Sequence, residues 1–228
     1  MSRYLIVGGS QGIGKSVVEK LVADKHELYV WGRRELDMPG VKYICNDVMG
    51  DLDLTGLPQE LDGVVYCPGS LNLKPFHRIT AADFAQDWHI NVLGAIKTLQ
   101  ATLPLLKKSN HASVVLFSTV AVSLGMPFHA SIASCKGAIE GLVKSLAAEW
   151  APNIRVNAIA PSLTNTPLTE KIISTAEKME AACKRHPLQK IGEASDISNL
   201  VQFLLSPQSS WMTGQVLHLD GGKSAIST

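Results

Sequence analysis

The stretch Leu5-Ile6-Val7-Gly8-Gly9-Ser10-Gln11-Gly12-Ile13-Gly14 is an apolar run that opens onto a glycine turn and leads into Lys15-Ser16-Val17-Val18-Glu19-Lys20-Leu21-Val22. Strand, tight loop and helix thus succeed one another within about two dozen residues. Gly8 lets the chain leave the strand, Gly12 lets a bulky anionic group approach the backbone, and Gly14 lets the new helix pack close to the sheet. The free N–H groups of the helix's first turn, with its dipole, then face an anion such as the pyrophosphate of a dinucleotide. A plain tight turn in an α/β protein uses the same glycines, so the assignment depends on residues farther down the chain.

A chain of 228 residues fits one large domain or two small ones, and a single domain of this length can bury around 70% of its extended surface. The formal net charge of +1 comes without any long block of one sign, which leaves nucleic acid and anionic membranes as poor partners and points to small molecules. Cys45, Cys67, Cys135 and Cys183 are far apart, with no Cys-x-x-Cys and no His at ligand spacing. Neither a disulfide framework nor a metal site is expected; these read as reduced cysteines of a cytoplasmic protein. Met1 to Tyr4 runs directly into the first strand, and no apolar stretch reaches membrane-spanning length.

Further along, Glu27-Leu28-Tyr29-Val30-Trp31 reads as a second strand, followed by Gly32-Arg33-Arg34-Glu35. After such a strand, an acidic residue binds the ribose 2′-hydroxyl of NAD, whereas arginine accommodates the 2′-phosphate of NADP. Arg33 and Arg34 can offer forked, charge-assisted bonds to phosphate, which favours NADP(H) over NAD(H). The alternative is that both are solvated and Glu35 or Asp37 serves the ribose. Val41–Cys45 reads as a third strand ending at Asn46-Asp47-Val48, where Asp47 could accept from the adenine amino group, and Leu61–Cys67 as a fourth ending at Pro68-Gly69.

A long helical pattern runs from Ala81 to about Leu106, with Thr80 as its N-cap and Phe84, Trp88, Val92, Ile96 and Leu99 on one face. That stripe reads as core or a helix–helix interface. Ser113–Phe117 is a strand ending at Ser118-Thr119; the next helix carries Ile132, Lys136, Ile139, Val143 and Leu146 and stops near Pro152. Ile154–Ala160 is a strand ending at Pro161, Asp196–Leu205 a short helix, and Gln215–Leu219 a last strand before Asp220-Gly221-Gly222. The polar segment 164–190 is the candidate for a mobile lid over a substrate. Strands alternate with helices without repeat or linker, so residues 1–228 are expected to form a single-domain, Rossmann-type α/β fold: a doubly wound parallel sheet with helices on both faces.

With these segments in order, the chain resembles the short-chain dehydrogenase/reductase family over nearly its whole length. Gly8-x-x-x-Gly12-x-Gly14, with Ser10, Gln11 and Ile13 in the loop, is similar to the family's cofactor turn, and Asp47-Val48 to its adenine-contacting pair. His89-Ile90-Asn91-Val92-Leu93-Gly94 resembles the helix that carries its active-site asparagine. Ile154-Arg155-Val156-Asn157, followed by Pro161, Ser162, Leu163 and Thr166, resembles the strand and loop that hold the nicotinamide, and Met212 to Gly222 the closing segment. The resemblance also places Cys67 and Gly69 beside the cofactor, and implies a homodimer or homotetramer.

The family's catalytic pattern is Tyr-x-x-x-Lys, with a serine about a dozen residues earlier. Lys136 matches the lysine, but the tyrosine position is Ile132, the serine position falls on Thr119 with Ser118 beside it, and Tyr66-Cys67 replace an asparagine pair. In the family the tyrosine protonates the alkoxide left by hydride transfer, the serine holds the oxygen and the asparagine anchors a water. Isoleucine supplies no proton. Lys136, one turn later on the same face, can still bind the nicotinamide ribose. His129 is the leading stand-in for the acid, ahead of Ser131, Ser134, Cys135, Tyr66 and a water held by Lys136 and Asn91.

The expected function is an NADP(H)-dependent oxidoreductase acting on a small carbonyl, alcohol or activated double bond with a non-standard proton donor. The rival is a catalytically silent NADP(H)-binding protein, a sensor or assembly subunit on the same fold. A lyase or dehydratase on this scaffold stays open as a third reading. Ser123, Met126, Pro127 and Phe128 suggest a moderately apolar substrate pocket.

Overall fold

The computed structural model describes residues 1–226. Seven parallel strands form one sheet in the spatial order β3 (Val41–Cys45), β2 (Glu27–Gly32), β1 (Arg3–Val7), β4 (Gly63–Tyr66), β5 (Ala112–Phe117), β6 (Ile154–Pro161) and β9 (Val216–Leu219). The sheet winds outward from β1 in both directions, and the crevice that opens where the winding reverses lies beyond the carboxyl ends of β1 and β4. In-register pairs such as Leu5 with Tyr29 and Leu5 with Val64 fix β1 between its neighbours.

Both faces of the sheet are buried, as a parallel sheet requires. Along β1 the alternation is direct: Leu5 and Val7 join a cluster with Leu99, Ile139, Val143 and Trp150. Tyr4 and Ile6 join another with Val17, Val18, Leu21, Ile197 and Val201. The first cluster lies under α3 (Gly94–Leu106) and α5 (Ala130–Trp150), the second under α1 (Gly12–Ala23) and α7 (Ala194–Leu205). Each such side chain contributes about 1.5–3 kcal/mol, so burial on two faces sets the layered architecture.

The long helix expected from Ala81 is broken. It runs as α2 (Ala81–Trp88), a π-helical turn (His89–Leu93) and then α3. Its start is as expected: Thr80 Oγ1 accepts from the Asp83 N–H at 3.1 Å, and Asp83 Oδ2 accepts from the Thr80 N–H at 3.0 Å. The π turn adds a residue to the repeat, which rotates the apolar stripe. Val92 and Leu99 are core, whereas Trp88 is 40% exposed. β4 begins at Gly63 rather than Leu61, because Leu61 is buried outside the ladder with its N–H on the Leu105 carbonyl.

Between β5 and α5 lies a short helix, α4 (Ala121–Leu124). The segment 164–190 is clasped at one end by β7 (Thr164–Asn165), which pairs with β8 (Gly192–Glu193), and contains α6 (Ala176–Lys184). Among the described residues no helix is long and apolar enough to cross a membrane, and no group of three His, Cys, Asp or Glu side chains could hold a metal ion.

Candidate active site

The glycine turn lines a cleft of about 230 Å³ at the carboxyl ends of β1 and β4. Gly8, Ser10, Gln11, Gly12, Ile13, Gly14, Arg33, Arg34, Asp47, Val48, Cys67, Gly69 and Thr166 all face it. A Cβ on Gly14 would lie 2.2 Å from the Gly8 carbonyl oxygen, so only glycine lets α1 approach the turn this closely. No side chain caps the first turn of α1 and no acidic residue sits in it, so its positive end faces the cleft unneutralised. Among these residues the turn and helix end fit a dinucleotide pyrophosphate.

At the far end of the cleft, the Tyr43 hydroxyl donates to the Gly32 carbonyl at 2.5 Å and holds the bend that presents Arg33 and Arg34. Arg34 Nη1 donates to Gln11 Oε1 at 3.3 Å. Glu35 and Asp37 do not line the cleft. Asn46 is tied to the Asp53 backbone by two bonds of 2.8 and 2.7 Å, and Asp47 Oδ1 accepts from the Met49 N–H at 3.0 Å, so both stiffen the loop after β3.

A second cavity of about 460 Å³ is lined by Leu71, Thr119, Met126, Phe128, His129, Ile132, Ser162, Leu163, Ile172 and His186, among others. Segment 164–190 borders both spaces, with Thr166, Pro167 and Leu168 on the first, and Thr169, Ile172 and α6 on the second. Ser162 and Leu163, grouped by resemblance with the cofactor, face this second cavity instead. Pro161 faces neither; it pairs with Leu219 in the sheet.

The two hydroxyls after β5 diverge. Ser118 is 3% exposed and donates to Glu140 Oε1 at 2.6 Å, which turns it away from the cavity, whereas Thr119 lines it. Ser118, just past the end of β5, therefore packs against α5 through Glu140. Ile132 is almost fully buried and presents hydrocarbon one turn before Lys136. Burial lowers the Lys136 ammonium to about 8, and it makes no hydrogen bond among the described residues. His129 lines the cavity with Nδ1 donating to the Pro127 carbonyl at 2.7 Å, leaving Nε2 without a protein partner among the described residues.

Asn91 lies in the π turn. Its Nδ2 donates to the Asp87 carbonyl and to Ser70 Oγ, both at 2.9 Å, while its Oδ1 is buried with no partner among the described residues. It holds the helix bend and offers one unspent acceptor. The other local candidates are committed elsewhere. The Tyr66 hydroxyl donates to the Ile90 carbonyl at 2.6 Å, and burial raises its pKa. Ser134 donates to the Ala130 carbonyl at 2.8 Å. Burial pushes Cys135 up to about 11 and Cys67 to about 12, so both stay thiols.

Two groupings escape sequence reasoning. Asp87, fully buried, accepts from Ser70 Oγ at 2.5 Å, Asn72 Nδ2 at 3.2 Å and Ser131 Oγ at 2.6 Å, so it locks α2, α5 and the loop after β4 together. Ser162 lies 2.8 Å from His186, a histidine within a polar segment that carries no motif. Neither grouping has a local spacing signal, since the partners of Asp87 are 15, 17 and 44 residues away and Ser162 is 24 residues from His186.

The fold and the glycine-turn cleft define a doubly wound protein of the dinucleotide-binding type. A family model described as Enoyl-(acyl carrier protein) reductase matches residues 45–224. A tropinone reductase homolog of Arabidopsis thaliana is 35% identical, covering 96% of this chain and 91% of that protein. One from Datura stramonium is 32% identical, covering 96% and 90%. A short chain dehydrogenase family protein of Francisella tularensis superposes with a TM-score of 0.91 at 29% identity, covering 99% of this chain and 100% of that one. ElxO with NADP bound superposes with a TM-score of 0.88 at 26% identity, covering 99% and 100%. The chain belongs to the short-chain dehydrogenase/reductase family of oxidoreductases.

Proposed function

We propose that this chain is an NADP(H)-dependent oxidoreductase that interconverts a small carbonyl or activated double bond with its reduced form, and that its proton donor is not a tyrosine. The observation that carries the reading is the convergence on one cleft of the glycine turn, the uncapped end of α1 and the paired guanidinium groups of Arg33 and Arg34. Both arginines face the cleft while Glu35 and Asp37 do not, which favours a 2′-phosphate over a free ribose hydroxyl. Of the structural neighbours, ElxO has NADP bound, in line with that choice, and 4-hydroxyisoleucine dehydrogenase is complexed with NADH.

When bound, the cofactor supplies or accepts hydride at its nicotinamide. The chain's own residues do the rest. The first turn of α1 would neutralise the pyrophosphate, Arg33 and Arg34 would bind the 2′-phosphate, and the Lys136 ammonium would hold the ribose hydroxyls. Thr119 offers a hydroxyl to the substrate oxygen, and the apolar walls of the larger cavity exclude water. Segment 164–190 acts as the lid. The same reading carries a homodimer or homotetramer, in which a second copy covers Trp88.

Titration with NADPH and NADH, followed by nicotinamide fluorescence, tests the reading. NADPH binds at least about tenfold tighter, and Arg33→Ala or Arg34→Ala each weakens NADPH by about 10- to 100-fold with little effect on NADH, in line with about 1.5–3 kcal/mol per charged hydrogen bond. Binding of neither cofactor overturns the oxidoreductase reading. Binding of NADPH without reduction of tropinone, a simple ketone or a crotonyl thioester favours the silent-binder alternative.

A further inference from the structure

The larger cavity contains a hydroxyl and an imidazole already joined to one another. Ser162 follows Pro161 at the carboxyl end of β6 and is fixed from both sides. Its N–H donates to the Leu219 carbonyl at 3.4 Å, and its carbonyl accepts from Thr164 Oγ1 at 3.0 Å. Its Oγ lies 2.8 Å from Nε2 of His186, and both residues line the cavity that Ile132 and Thr119 line.

The chemistry of the partners fixes the direction of these bonds. His186, just past α6, is 2% exposed, and its Nδ1 lies 2.8 Å from the Ala182 carbonyl oxygen. A carbonyl oxygen only accepts, so Nδ1 carries the ring proton and Nε2 of the neutral ring is an acceptor. The Ser162 hydroxyl therefore donates to Nε2. Its oxygen keeps lone pairs for a second donor in the cavity. A hydroxyl, a base and a group that orients the base are the parts of a proton-transfer relay.

No other hydroxyl that lines the cavity is bonded to a base among the described residues. Ser118 and Ser131 do meet the carboxylates of Glu140 and Asp87, but neither lines the cavity, and Tyr66 donates to the Ile90 carbonyl. Thr119 accepts from the Ala121 N–H at 3.3 Å and has no base bonded to it among the described residues. His129 has a backbone carbonyl, not a hydroxyl, as its partner.

We propose that Ser162 and His186 form the proton relay of this site, with Ser162 exchanging a proton with the substrate oxygen and His186 storing it. The proposal rests on the oxidoreductase reading. In the oxidising direction the substrate's O–H gives its proton to Ser162 Oγ as the Ser162 O–H gives its own to Nε2 of neutral His186, while hydride leaves the carbinol carbon for the nicotinamide and the O–H bonding pair becomes the C=O π bond. The His186 imidazolium, still bonded through Nδ1–H to Ala182, then releases its Nε2 proton to water. Carbonyl reduction runs the same transfers backward, starting from His186 that has first taken a proton from water at Nε2. The relay suits a carbonyl or alcohol substrate in particular, because it serves an oxygen.

Two measurements test the relay. The first needs no turnover: long-range 15N–1H spectra of the full chain show His186 as the Nδ1–H tautomer, with an Nε2 shift that moves in Ser162→Ala. An Nε2–H tautomer in the wild type, or an Nε2 shift indifferent to Ser162→Ala, overturns the relay. The second uses whichever of tropinone, a simple ketone and a crotonyl thioester the wild type reduces with NADPH.

Ser162→Ala and His186→Gln each lower kcat by about 100-fold, the scale of a lost general acid, with NADPH affinity unchanged. Ser162→Thr keeps the hydroxyl and retains most of the rate. Ile132→Tyr placed in Ser162→Ala restores turnover by supplying another acid. A kcat within about twofold of wild type for Ser162→Ala, far short of a lost general acid, overturns the relay and leaves the oxidoreductase reading standing. NADPH binding with none of the probes reduced overturns both.

Discussion

Replacing Lys136 by methionine separates what the residue costs from what it does. Its side chain is 9% exposed and its neighbours are the thiols of Cys67 and Cys135, so burial lowers the ammonium from 10.5 to about 8. In the unfolded chain the same amine stays charged to about pH 10.4. Between these values the unfolded state holds one more proton than the folded one, so the unfolding free energy rises with pH by about 1.4 kcal/mol per unit. Below pH 8 both states are charged and the full penalty of about 3 kcal/mol is present; above about 10.5 it has gone. Lys136→Met keeps the length and removes the charge. Urea denaturation without cofactor therefore shows Lys136→Met more stable than wild type by about 2–3 kcal/mol at about pH 7. That gap closes between about pH 8 and 10. Comparing the two proteins at each pH cancels the other groups that titrate there. Saturating NADPH narrows the gap at neutral pH, because the wild type then has a partner for the ammonium. A variant no more stable than wild type at neutral pH, or a gap that does not change with pH, refutes the burial argument.

Two further substitutions probe the scaffold. Gly14→Ala places a methyl 2.2 Å from the Gly8 carbonyl oxygen, a backbone atom that cannot swing aside; it lowers stability by about 1–3 kcal/mol and weakens NADPH binding, with an unaltered thermal midpoint and NADPH affinity as the contrary result. Ser131→Ala removes the donor to Asp87 Oδ2 and leaves a buried carboxylate oxygen unpaired. It costs about 1–3 kcal/mol in urea unfolding, and Asp87→Asn in the same background recovers part of that loss by removing the charge.

Much of the glycine-turn cleft's lining was legible in the sequence because it is built from local spacing. Gly8, Gly12 and Gly14 lie within one turn, Arg33 and Arg34 directly follow β2, and Asp47 lies just past β3. In a doubly wound sheet the ends of such strands meet at the crevice wherever the topology is obeyed. The catalytic side was less legible. Ser118 and Thr119 are neighbours in sequence, yet only packing against Glu140 of α5 decides which of them faces the cavity. Helical periodicity placed Trp88 and Val92 on one stripe, but a π turn at Asn91 exposes the first and buries the second.

The amino-acid sequence by itself determined the parallel sheet, its two buried faces and the glycine turn that opens α1, since alternation, glycine placement and helix starts act over a few residues. Only the tertiary structure decided that Asp87 receives donors from separate segments and that Ser162 meets His186. It also buried the Lys136 side chain, which lowers its ammonium to about 8. Those outcomes depend on hydrogen bonds and desolvation between segments that no local spacing relates, and they exist only once the sheet has brought the segments together.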